Sequence, residues 1–422
     1  MIEIKPGPIR NCRITIPGSK SYTHRVLVAA ALAKGESSIL NGLKSEDTHL
    51  TIYALRQMGV EIAEDKDRWR VTGCGGGFAP RDEAIYLGNS GTSMRLMTAL
   101  AVLGEGKYIL NGTERMHQRP IGKLLDSLTQ AGAHAQAVRQ NACPPVVIDG
   151  QNLTGGRVQL DCSDSSQYLS ALLFIAPCTQ NGMQIEVIRG PVSRPYIDMT
   201  IAVMACFGIS VERKAYSFFT VKGGQVYQPT QVIVEPDASN ASYFWAAAAI
   251  TGASITVKGV HSHSRQGDVG FVEVLRQMGC DVNKFNDEIN VTGRLLKSID
   301  VDMAHMPDLV PTLAVVAAFA DGTTRIRNVG HLKVKESNRL HAVATALARM
   351  GIDVETDNSE ITICGGKPRG AVIDTYNDHR MAMSFAVAGL VAPGVFIRDE
   401  ACVNKSFPSF WEVFETLYRS GK

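Results

Sequence analysis

The sequence predicts an α/β protein of two similar domains, each built from three β-α-β-α-β-β repeats. Three observations predict this fold. Glycines that follow a helix-like segment recur at positions 59, 132, 208, 279, 351 and 421, so their spacing is 70–76 residues. A second glycine in each repeat separates an alanine-rich apolar segment from a short strand-like segment. The chain has 422 residues, which is enough for two or three domains.

Each repeat contains an apolar, alanine-rich segment, which predicts a helix buried on all sides. A glycine and a strand follow it, as Gly35 precedes Ser38–Leu40. An amphipathic helix comes next and ends at the recurring glycine, which acts as its C-cap. Two short strands complete the repeat, for example Val60–Ala63 and Trp69–Thr72. The six predicted buried helices are Ser21–Ala33, Ser93–Leu103, Gln167–Ile175, Ala241–Ile250, Val310–Ala320 and Arg380–Leu390.

The domain boundary is predicted between the third and fourth repeats, because six buried helices are too many for one layer. The segment Gly223–Pro236 has the glycines and prolines of an irregular connection. The predicted domains are therefore residues 19–234, and residues 1–18 together with 235–422. A monomer is expected, because the repeats are predicted to fill their own cores.

The composition excludes several classes of protein. The net charge of +2 argues against a nucleic-acid-binding surface and against a polybasic membrane contact. No apolar run approaches the roughly 20 residues that span a bilayer, and the N-terminus lacks a signal-peptide core. The 9 cysteines include no CxxC pair, which predicts free thiols in a reducing cytoplasm and no zinc site.

The chemistry is predicted at the starts of the buried helices, where polar segments such as GSKSYTHR (18–25) and GNSGTSMR (88–95) occur. Helix capping alone explains a serine or aspartate at such a position. A cap does not need the basic side chains found there, and free helix amides with basic residues form an anion site. A single Lys or Arg in a loop is also commonly a solvated surface charge. The charged candidates at the helix starts are Lys20, Arg25, Arg95, His379 and Arg380.

A second set of polar residues precedes the amphipathic helices at matching positions of the repeats. It includes segments such as VSRPYID and KVKESNR. Several phosphate or carboxylate groups would be needed to neutralise the cations of both sets. The candidates of the second set are Arg119, Ser193, Tyr196, Lys335, Glu336, Arg339 and Lys405.

The ordered motifs of the chain resemble those of the 5-enolpyruvylshikimate-3-phosphate synthases. The resemblance implies the inside-out α/β barrels of the enolpyruvyl transferases, with the active site in the cleft between two domains. Any one motif is moderately specific, whereas the ordered set is highly specific. The matching segments are PGSKSYTHR, LGNSGTSMR, RPIG, DSSQYLSALL, VSRPYID, DASNASYFWAAAAI, MPD, KVKESNR, NDHRMAM and NKSFPSF.

The resemblance implies that the enolpyruvyl group of phosphoenolpyruvate is transferred to the 5-hydroxyl of shikimate 3-phosphate, releasing phosphate. It implies a tetrahedral addition–elimination intermediate, and neither a metal nor another cofactor. By motif match, phosphoenolpyruvate is bound by Lys20, Gly91, Arg119, Gln167, Arg339, Arg380 and Lys405, with Arg95 as a further candidate. Shikimate 3-phosphate is bound by Lys20, Ser21, Arg25, Ser165, Ser166, Gln167, Ser193, Tyr196, Asp308 and Lys335.

The resemblance also implies the catalytic residues. Asp308 is expected to contact the reacting hydroxyl, and Lys20 and Glu336 to share the other proton transfers, with His379 also in the catalytic group. Three positions depart from the family pattern. His331 stands where Asn is frequent, Asn338 where Asp is common, and Leu96 where many members have Pro.

Two alternative functions share features with this chain. An enolpyruvyl transferase that acts on UDP-N-acetylglucosamine carries a reactive Cys before its R-P motif, and residues 111–119 contain none. That family also has Lys-Asn where this chain has Lys20 and Ser21. A catalytically inactive anion-binding protein is the second alternative. The carboxylates Asp308 and Glu336, retained beside matching cations, count against it.

Overall fold

The computed structural model describes residues 1–79, 84–150 and 153–418. Gly421, the last of the predicted repeat glycines, lies outside them. Contacts within the chain divide it into two compact units, residues 18–234 and residues 1–17 with 235–422. These are called the first and the second unit below. Each unit has its own hydrophobic core.

Secondary-structure elements are numbered along the whole chain, so that β1 (Ile2–Ile4) and β2 (Cys12–Thr15) precede the first unit. The helices of the first unit are α1 (Lys20–Leu32), α2 (Glu46–Gln57), α3 (Gly91–Ala101), α4 (Gly122–Gln130), α5 (Gln167–Ile175) and α6 (Pro195–Cys206). Its strands are β3 (Lys34–Leu40), β4 (Glu61–Glu64), β5 (Arg68–Cys74), β6 (Ile85–Tyr86), β7 (Gly106–Asn111), β8 (His134–Ala137), β9 (Val146–Gly150), β10 (Gly156–Asp161), β11 (Met183–Arg189), β12 (Glu212–Lys214), β13 (Phe218–Val221) and β14 (Gln231–Ile233).

The first unit follows the predicted repeat three times. Its sheets have the orders β14-β3-β5-β4, β6-β7-β9-β8 and β10-β11-β13-β12. In each sheet the first pair is parallel and the other pairs are antiparallel. Helices α1, α3 and α5 are buried, and Ala29, Ala30 and Ala31 of α1 have no exposed surface. Small side chains keep such a helix thin enough to be surrounded by other elements.

The second unit repeats this arrangement with one difference. Its sheets are ordered β16-β17-β15-β2, β18-β19-β21-β20 and β1-β23-β22. The third sheet has three strands, in which β1 pairs antiparallel with β23. Its helices are α7 (Ala238–Thr251), α8 (Phe271–Gln277), α9 (Val310–Ala318), α10 (Arg339–Arg349), α11 (His379–Gly389) and α12 (Phe410–Glu415). Its remaining strands are β15 (Ser254–Lys258), β16 (Asp281–Lys284), β17 (Glu288–Thr292), β18 (Asp300–Asp302), β19 (Thr323–Arg327), β20 (Asp353–Thr356), β21 (Ile361–Cys364), β22 (Val372–Ile373) and β23 (Val395–Ile397).

Two strands join the sheet of a repeat other than the one that they precede in sequence. Strand β2 comes before α1 but pairs in parallel with β15 of the second unit. Strand β14 comes before α7 but pairs in parallel with β3 of the first unit. From its place in the repeat, β2 would be expected beside β3 and β14 beside β15. The structure shows the reverse, with β2 beside β15 and β14 beside β3.

The recurring glycines end the amphipathic helices in the predicted way. Gly59, Gly132, Gly208, Gly279 and Gly351 have φ between 78° and 109°. This left-handed region strains any residue with a Cβ atom, and glycine adopts it without cost. The C-cap prediction is confirmed at these five positions.

Among the described residues, no helix combines the length and apolar character that crossing a membrane requires. Within the same part of the chain, no three His, Cys, Asp or Glu side chains are grouped in a way that could hold a metal ion. All 9 cysteines are free thiols.

Candidate functional site

The buried helices α1 and α3 of the first unit start with amides capped by the N-cap side chain, whereas α5 does not. The Ser19 hydroxyl accepts a hydrogen bond from Tyr22 N at α1, and the Ser90 hydroxyl accepts one from Ser93 N at α3. Ser166, at the start of α5, makes no such bond. Capping therefore accounts for Ser19 and Ser90 but not for the hydroxyl of Ser166.

Lys20 begins α1 and pairs with a carboxylate from the neighbouring helix. Its Nζ lies 3.0 Å from Oδ2 of Asp47, in the first turn of α2. Asp47 is buried. This partner could not be predicted from the sequence, because the pair depends on how the two helices pack.

Arg25 is a buried cation whose guanidinium donates to uncharged oxygens. Its guanidinium donates to Thr200 Oγ1 at 2.8 Å, Ser21 O at 2.9 Å and Tyr196 O at 3.1 Å. Only 2% of Arg25 is exposed, and burial lowers its pKa to about 10. In the described part of the chain, no carboxylate forms an ion pair with it. A buried charge without a counter-ion is costly, so this group favours binding of an anion.

Ser193 lies three residues before Tyr196, whose backbone carbonyl accepts a hydrogen bond from Arg25. Its φ of 54° is in the left-handed region, which is uncommon for a residue with a side chain. Its hydroxyl is buried and hydrogen-bonds to none of the described groups. Residues held in such a conformation often serve a function, and an oriented, unused hydroxyl is a ready ligand group.

Gly91 is the point at which two guanidinium groups meet the start of α3. A Cβ atom at Gly91 would lie 2.3 Å from Arg95 Nη1 and 2.4 Å from Arg119 Nη2. Any side chain there would displace both groups, so the close approach requires glycine. Arg119 is oriented by a 2.7 Å bond to Asn89 O. Two guanidinium groups beside the amides of an 11-residue helix form an anion site.

Gln167 connects this site to α5. Its side chain accepts from Arg95 Nη1 at 3.3 Å and donates to Thr92 Oγ1 at 3.0 Å. The backbone amide of Gln167 donates to Ser165 Oγ at 3.2 Å. Gly91, Arg95, Arg119 and Gln167 therefore form one connected group.

In the second unit, Arg339 is the centre of a network of ion pairs. It donates to Asp308 at 2.7 Å, Glu336 at 2.8 Å and Asp378 at 2.8 Å. Only 1% of Arg339 is exposed. Burial alone favours the neutral guanidine, but the three carboxylates outweigh it and raise the pKa of Arg339.

Asp308 joins Arg339 to a second guanidinium. Its Oδ2 accepts from Arg380 at 2.8 Å, while Oδ1 is held by Arg339. Burial favours the protonated acid, but the charges of Arg380, Arg339 and Lys335 outweigh it and hold the pKa of Asp308 well below its usual range. Asp308 is therefore an ionised carboxylate with both oxygens engaged.

The sequence prediction omitted Asp378, although it lies in the NDHRMAM segment. It caps α11 by accepting from Arg380 N at 3.0 Å and also holds Arg339 and Ser337. The neighbouring His379 is buried, and its Nδ1 is 3.7 Å from Asp378 Oδ1. The signal that could have identified Asp378 is its place in the sequence, between Asn377 and the basic residues His379 and Arg380.

The remaining predicted residues of the second unit are Lys335 and Lys405. Lys335 is partly buried and follows a short 3-10 helix, Gly330–Val334. Lys405 is buried and ends another, Glu400–Lys405. Next to Lys405, the buried hydroxyl of Ser406 has no hydrogen-bond partner within the described structure.

The three departures from the family pattern have separate structural settings. Asn338 is the N-cap of α10 and accepts from His341 N at 3.3 Å. Leu96 is buried in the hydrophobic core of the first unit. His331 is mostly buried, and its Nε2 has no hydrogen-bond partner among the described groups. Burial, with Lys335 nearby, lowers the pKa of His331 to about 3, so its imidazole is neutral.

Comparison with known proteins identifies the family. Residues 5–414 match the family model described as EPSP synthase (3-phosphoshikimate 1-carboxyvinyltransferase). The chain is 43% identical to the 3-phosphoshikimate 1-carboxyvinyltransferase of Sulfurovum sp. (strain NBC37-1), with 99% of each chain covered. It is 44% identical to that of Pasteurella multocida (strain Pm70), with 99% of this chain and 97% of the relative covered.

A solved structure of EPSP synthase from Acinetobacter baumannii superimposes with a TM-score of 0.82 at 30% identity. The match covers 99% of this chain and 98% of that chain. The predicted fold class is thereby confirmed.

Proposed function

The chain belongs to the EPSP synthase family, and we propose that its two clusters of charged side chains carry out the family reaction. That reaction transfers the enolpyruvyl group of phosphoenolpyruvate to the 5-hydroxyl of shikimate 3-phosphate and releases phosphate. Both substrates are phosphorylated anions, which matches the buried cations of both units.

In the first unit, the proposal assigns the phosphate of shikimate 3-phosphate to Arg25 and the hydroxyl-rich segments around it. Ser193 and Ser166 support this assignment, because the buried Ser193 hydroxyl has no hydrogen-bond partner within the described structure and the Ser166 hydroxyl forms no helix-cap bond. Ser165, Ser21 and Tyr196 complete the group. Phosphate oxygens accept several hydrogen bonds, and charge-assisted bonds to a guanidinium are the stronger kind.

The second anion site of the first unit is assigned to phosphoenolpyruvate. Gly91 leaves room for the guanidinium groups of Arg95 and Arg119 to approach the start of α3. Gln167 and Lys20 complete the assignment. Since Lys20 is already paired with Asp47, its side chain has a defined position before substrate arrives.

In the second unit, Arg339, Arg380 and Lys405 are assigned to phosphoenolpyruvate, and Lys335 to shikimate 3-phosphate. Asp308 is the proposed acceptor for the proton of the 5-hydroxyl. An anion that shares Arg339 and Arg380 weakens their hold on Asp308 and so raises its basicity. Glu336 and Lys20 are proposed to share the transfers at the methylene carbon. His379 stays a prediction as a catalytic residue.

The proposed steps balance as an addition and an elimination. The 5-hydroxyl oxygen bonds to C2 of phosphoenolpyruvate while its proton leaves and another reaches C3. The tetrahedral intermediate then loses a proton from C3, and the C2–O bond to phosphate breaks. The products are the enol ether and inorganic phosphate, and no oxidant is needed.

The observation that carries the proposal is Arg25, a guanidinium that is 2% exposed and forms no ion pair with any carboxylate in the described part of the chain. An anionic ligand supplies the missing charge. The decisive experiment is a phosphate-release assay with phosphoenolpyruvate and shikimate 3-phosphate, each omitted in turn. Release that needs both substrates is expected. Equal turnover with UDP-N-acetylglucosamine as acceptor would show that the family reaction is assigned wrongly. A cytoplasmic monomer stays a sequence prediction, to be checked by cell fractionation and sedimentation.

A further inference from the structure

Two buried threonine hydroxyls each join three helices of the first unit. Thr51 on α2 lies 2.8 Å from His24 Nδ1 on α1 and 2.7 Å from Ser93 Oγ on α3. Thr200 on α6 accepts from Arg25 Nε on α1 at 2.8 Å and lies 2.8 Å from Ser170 Oγ on α5. Both threonines have no exposed surface.

The contacts of Thr51 lead to one set of predicted site residues. Ser93 also lies 2.7 Å from the Oγ of Ser90, which caps α3 immediately before Gly91. One turn before Thr51 on the same helix, Asp47 holds Lys20. Thr51 therefore links the helix that carries Asp47, the partner of Lys20, to the serine pair before Gly91, and Ser93 Oγ adds a longer bond of 3.4 Å to Asp47 O.

The contacts of Thr200 lead to a different set. Its own proton goes to Tyr196 O at 2.9 Å, so its oxygen accepts from Arg25 and from the Ser170 hydroxyl. A hydroxyl has one hydrogen and two lone pairs, and all three are then used. Ser170 is one turn after Ser166 on α5. Thr200 thus fixes Arg25 relative to Tyr196 and to the segment that contains Ser165 and Ser166.

We propose that Thr51 and Thr200 are positioning residues for different substrates. Thr51 places the groups assigned to phosphoenolpyruvate, and Thr200 places those assigned to shikimate 3-phosphate. The inference rests on the proposed function, since that function makes the assignments. Lys20 is assigned to both substrates, so the distinguishing group on the Thr51 side is Gly91.

The physical reason is the nature of the surrounding helices. Apolar contacts between alanine-rich helices are not directional, so they set the axial position of one helix against another weakly. Hydrogen bonds are directional, and a buried group that loses its partner costs about 1–3 kcal/mol. Binding of a small anion depends on the placement of donors to within about half an ångström.

The test compares Thr51→Val, Thr200→Val and Thr98→Val, which are nearly isosteric changes. Thr98 is the matched control, because it is equally buried in the first unit and, among the described residues, its hydroxyl bonds only to Met94 O of its own helix. KM is measured for each substrate with the other at saturation. Thr51→Val is expected to raise the KM for phosphoenolpyruvate about tenfold, and Thr200→Val that for shikimate 3-phosphate about tenfold. The other KM in each case should change less than about threefold.

Two further sets of variants separate positioning from general loosening. Thr51→Ser and Thr200→Ser keep the hydroxyl and should restore each KM. Ser93→Ala and Ser170→Ala remove the partner hydroxyls and should reproduce the two selective effects, which also keeps the test informative if a valine variant does not fold.

Equal changes in both KM values, or the same changes in Thr98→Val, would overturn the inference. Absence of substrate-dependent phosphate release in the unsubstituted protein would instead overturn the proposed function, and the inference with it.

Discussion

Arg25 of the first unit and Arg339 of the second are both nearly inaccessible to solvent, but their surroundings are opposite. Arg25 has three uncharged oxygen acceptors, whereas Arg339 has three carboxylates. Burial lowers the pKa of Arg25 to about 10. The carboxylates around Arg339 outweigh its burial and raise its pKa.

The difference separates two uses of a buried cation. Arg25 has no counter-charge in the described part of the chain, so its unliganded state is costly and an anion relieves that cost. Arg339 is already neutralised, so its main effect is to fix the positions of Asp308, Glu336 and Asp378. In the proposed function, the first kind of cation supplies binding energy, and the second arranges the groups that move protons.

The largest effect is expected from a change in the ion-pair network around Arg339, where carboxylates neutralise the buried cation. Asp308→Asn removes the proposed proton acceptor while keeping an oxygen for Arg339, so turnover should fall by about 10²–10⁴-fold. KM for shikimate 3-phosphate should change much less. The measurement is steady-state phosphate release, with the exposed Asp353→Asn as control. Near-normal turnover in a folded Asp308→Asn protein would remove Asp308 from the mechanism and end the division of roles.

Thermal denaturation of two matched variants compares the cations directly. Arg339→Met leaves three buried carboxylates without their shared partner and should destabilise the second unit by about 3–5 kcal/mol. Arg25→Met removes a charge that has no carboxylate partner among the described residues and leaves only uncharged acceptors without their donor, so the first unit should lose clearly less stability than the second. A similar loss in both variants would show that Arg25 has a counter-charge after all.

Much of this fold could be predicted because the repeat is recorded twice in each copy, by a buried helix and by a C-cap glycine. The predicted domain bounds place β2 with the second unit and β14 with the first, but the sheet edge that each strand joins could not be predicted, since both strands precede a buried helix in the same way. Nothing local to either strand says which of two equivalent edges it joins.

The residues of the site can also be divided into those that the sequence indicates and those that depend on tertiary contacts. Gly91, Arg25 and Arg339 belong to motifs, so the two arginines were candidates for anion binding from their recurring positions and Gly91 from the family resemblance. Asp47 and Thr51 lie on an ordinary amphipathic helix, and their importance depends on which helix packs beside it. Side chains that act through tertiary contacts leave no pattern in one sequence.

A smaller effect is expected for substrate binding at Arg25, the buried cation that has no carboxylate partner among the described residues. Arg25→Gln keeps a polar side chain but loses the charge, so the KM for shikimate 3-phosphate should rise about tenfold or more. The KM for phosphoenolpyruvate should change little. Steady-state kinetics at two salt concentrations provide the check, because the salt dependence of binding should also decrease in the variant. An equal rise in both KM values would place Arg25 outside a substrate-specific site.

The smallest effect is expected at a carboxylate that, like Arg25, is buried without enough opposite charge beside it. Asp268, in the second unit, is buried and accepts a hydrogen bond from Ser239, while its Oδ1 has no hydrogen-bond partner in the described structure. Burial, followed by repulsion from Asp308, raises the pKa of Asp268 to about 7, with Asp237 adding to the rise and Arg380 opposing it. Burial without sufficient counter-charge thus favours the neutral form of this acid, as it does for Arg25.

The sign of the resulting pH dependence follows from proton counting. Between about pH 4 and pH 7 the folded protein retains the proton of Asp268 while the unfolded chain has lost it, so stability falls as pH rises through this range. The contribution is complete below about pH 4 and lost above about pH 7. Asp268→Asn cannot ionise, so its stability relative to the unsubstituted protein should improve by the order of 1–2 kcal/mol between pH 5 and pH 8. Thermal denaturation at both pH values measures this difference, with the exposed Asp353→Asn expected to show none. A difference that does not change with pH would mean that Asp268 is ionised throughout, and that a cation compensates it as the carboxylates compensate Arg339.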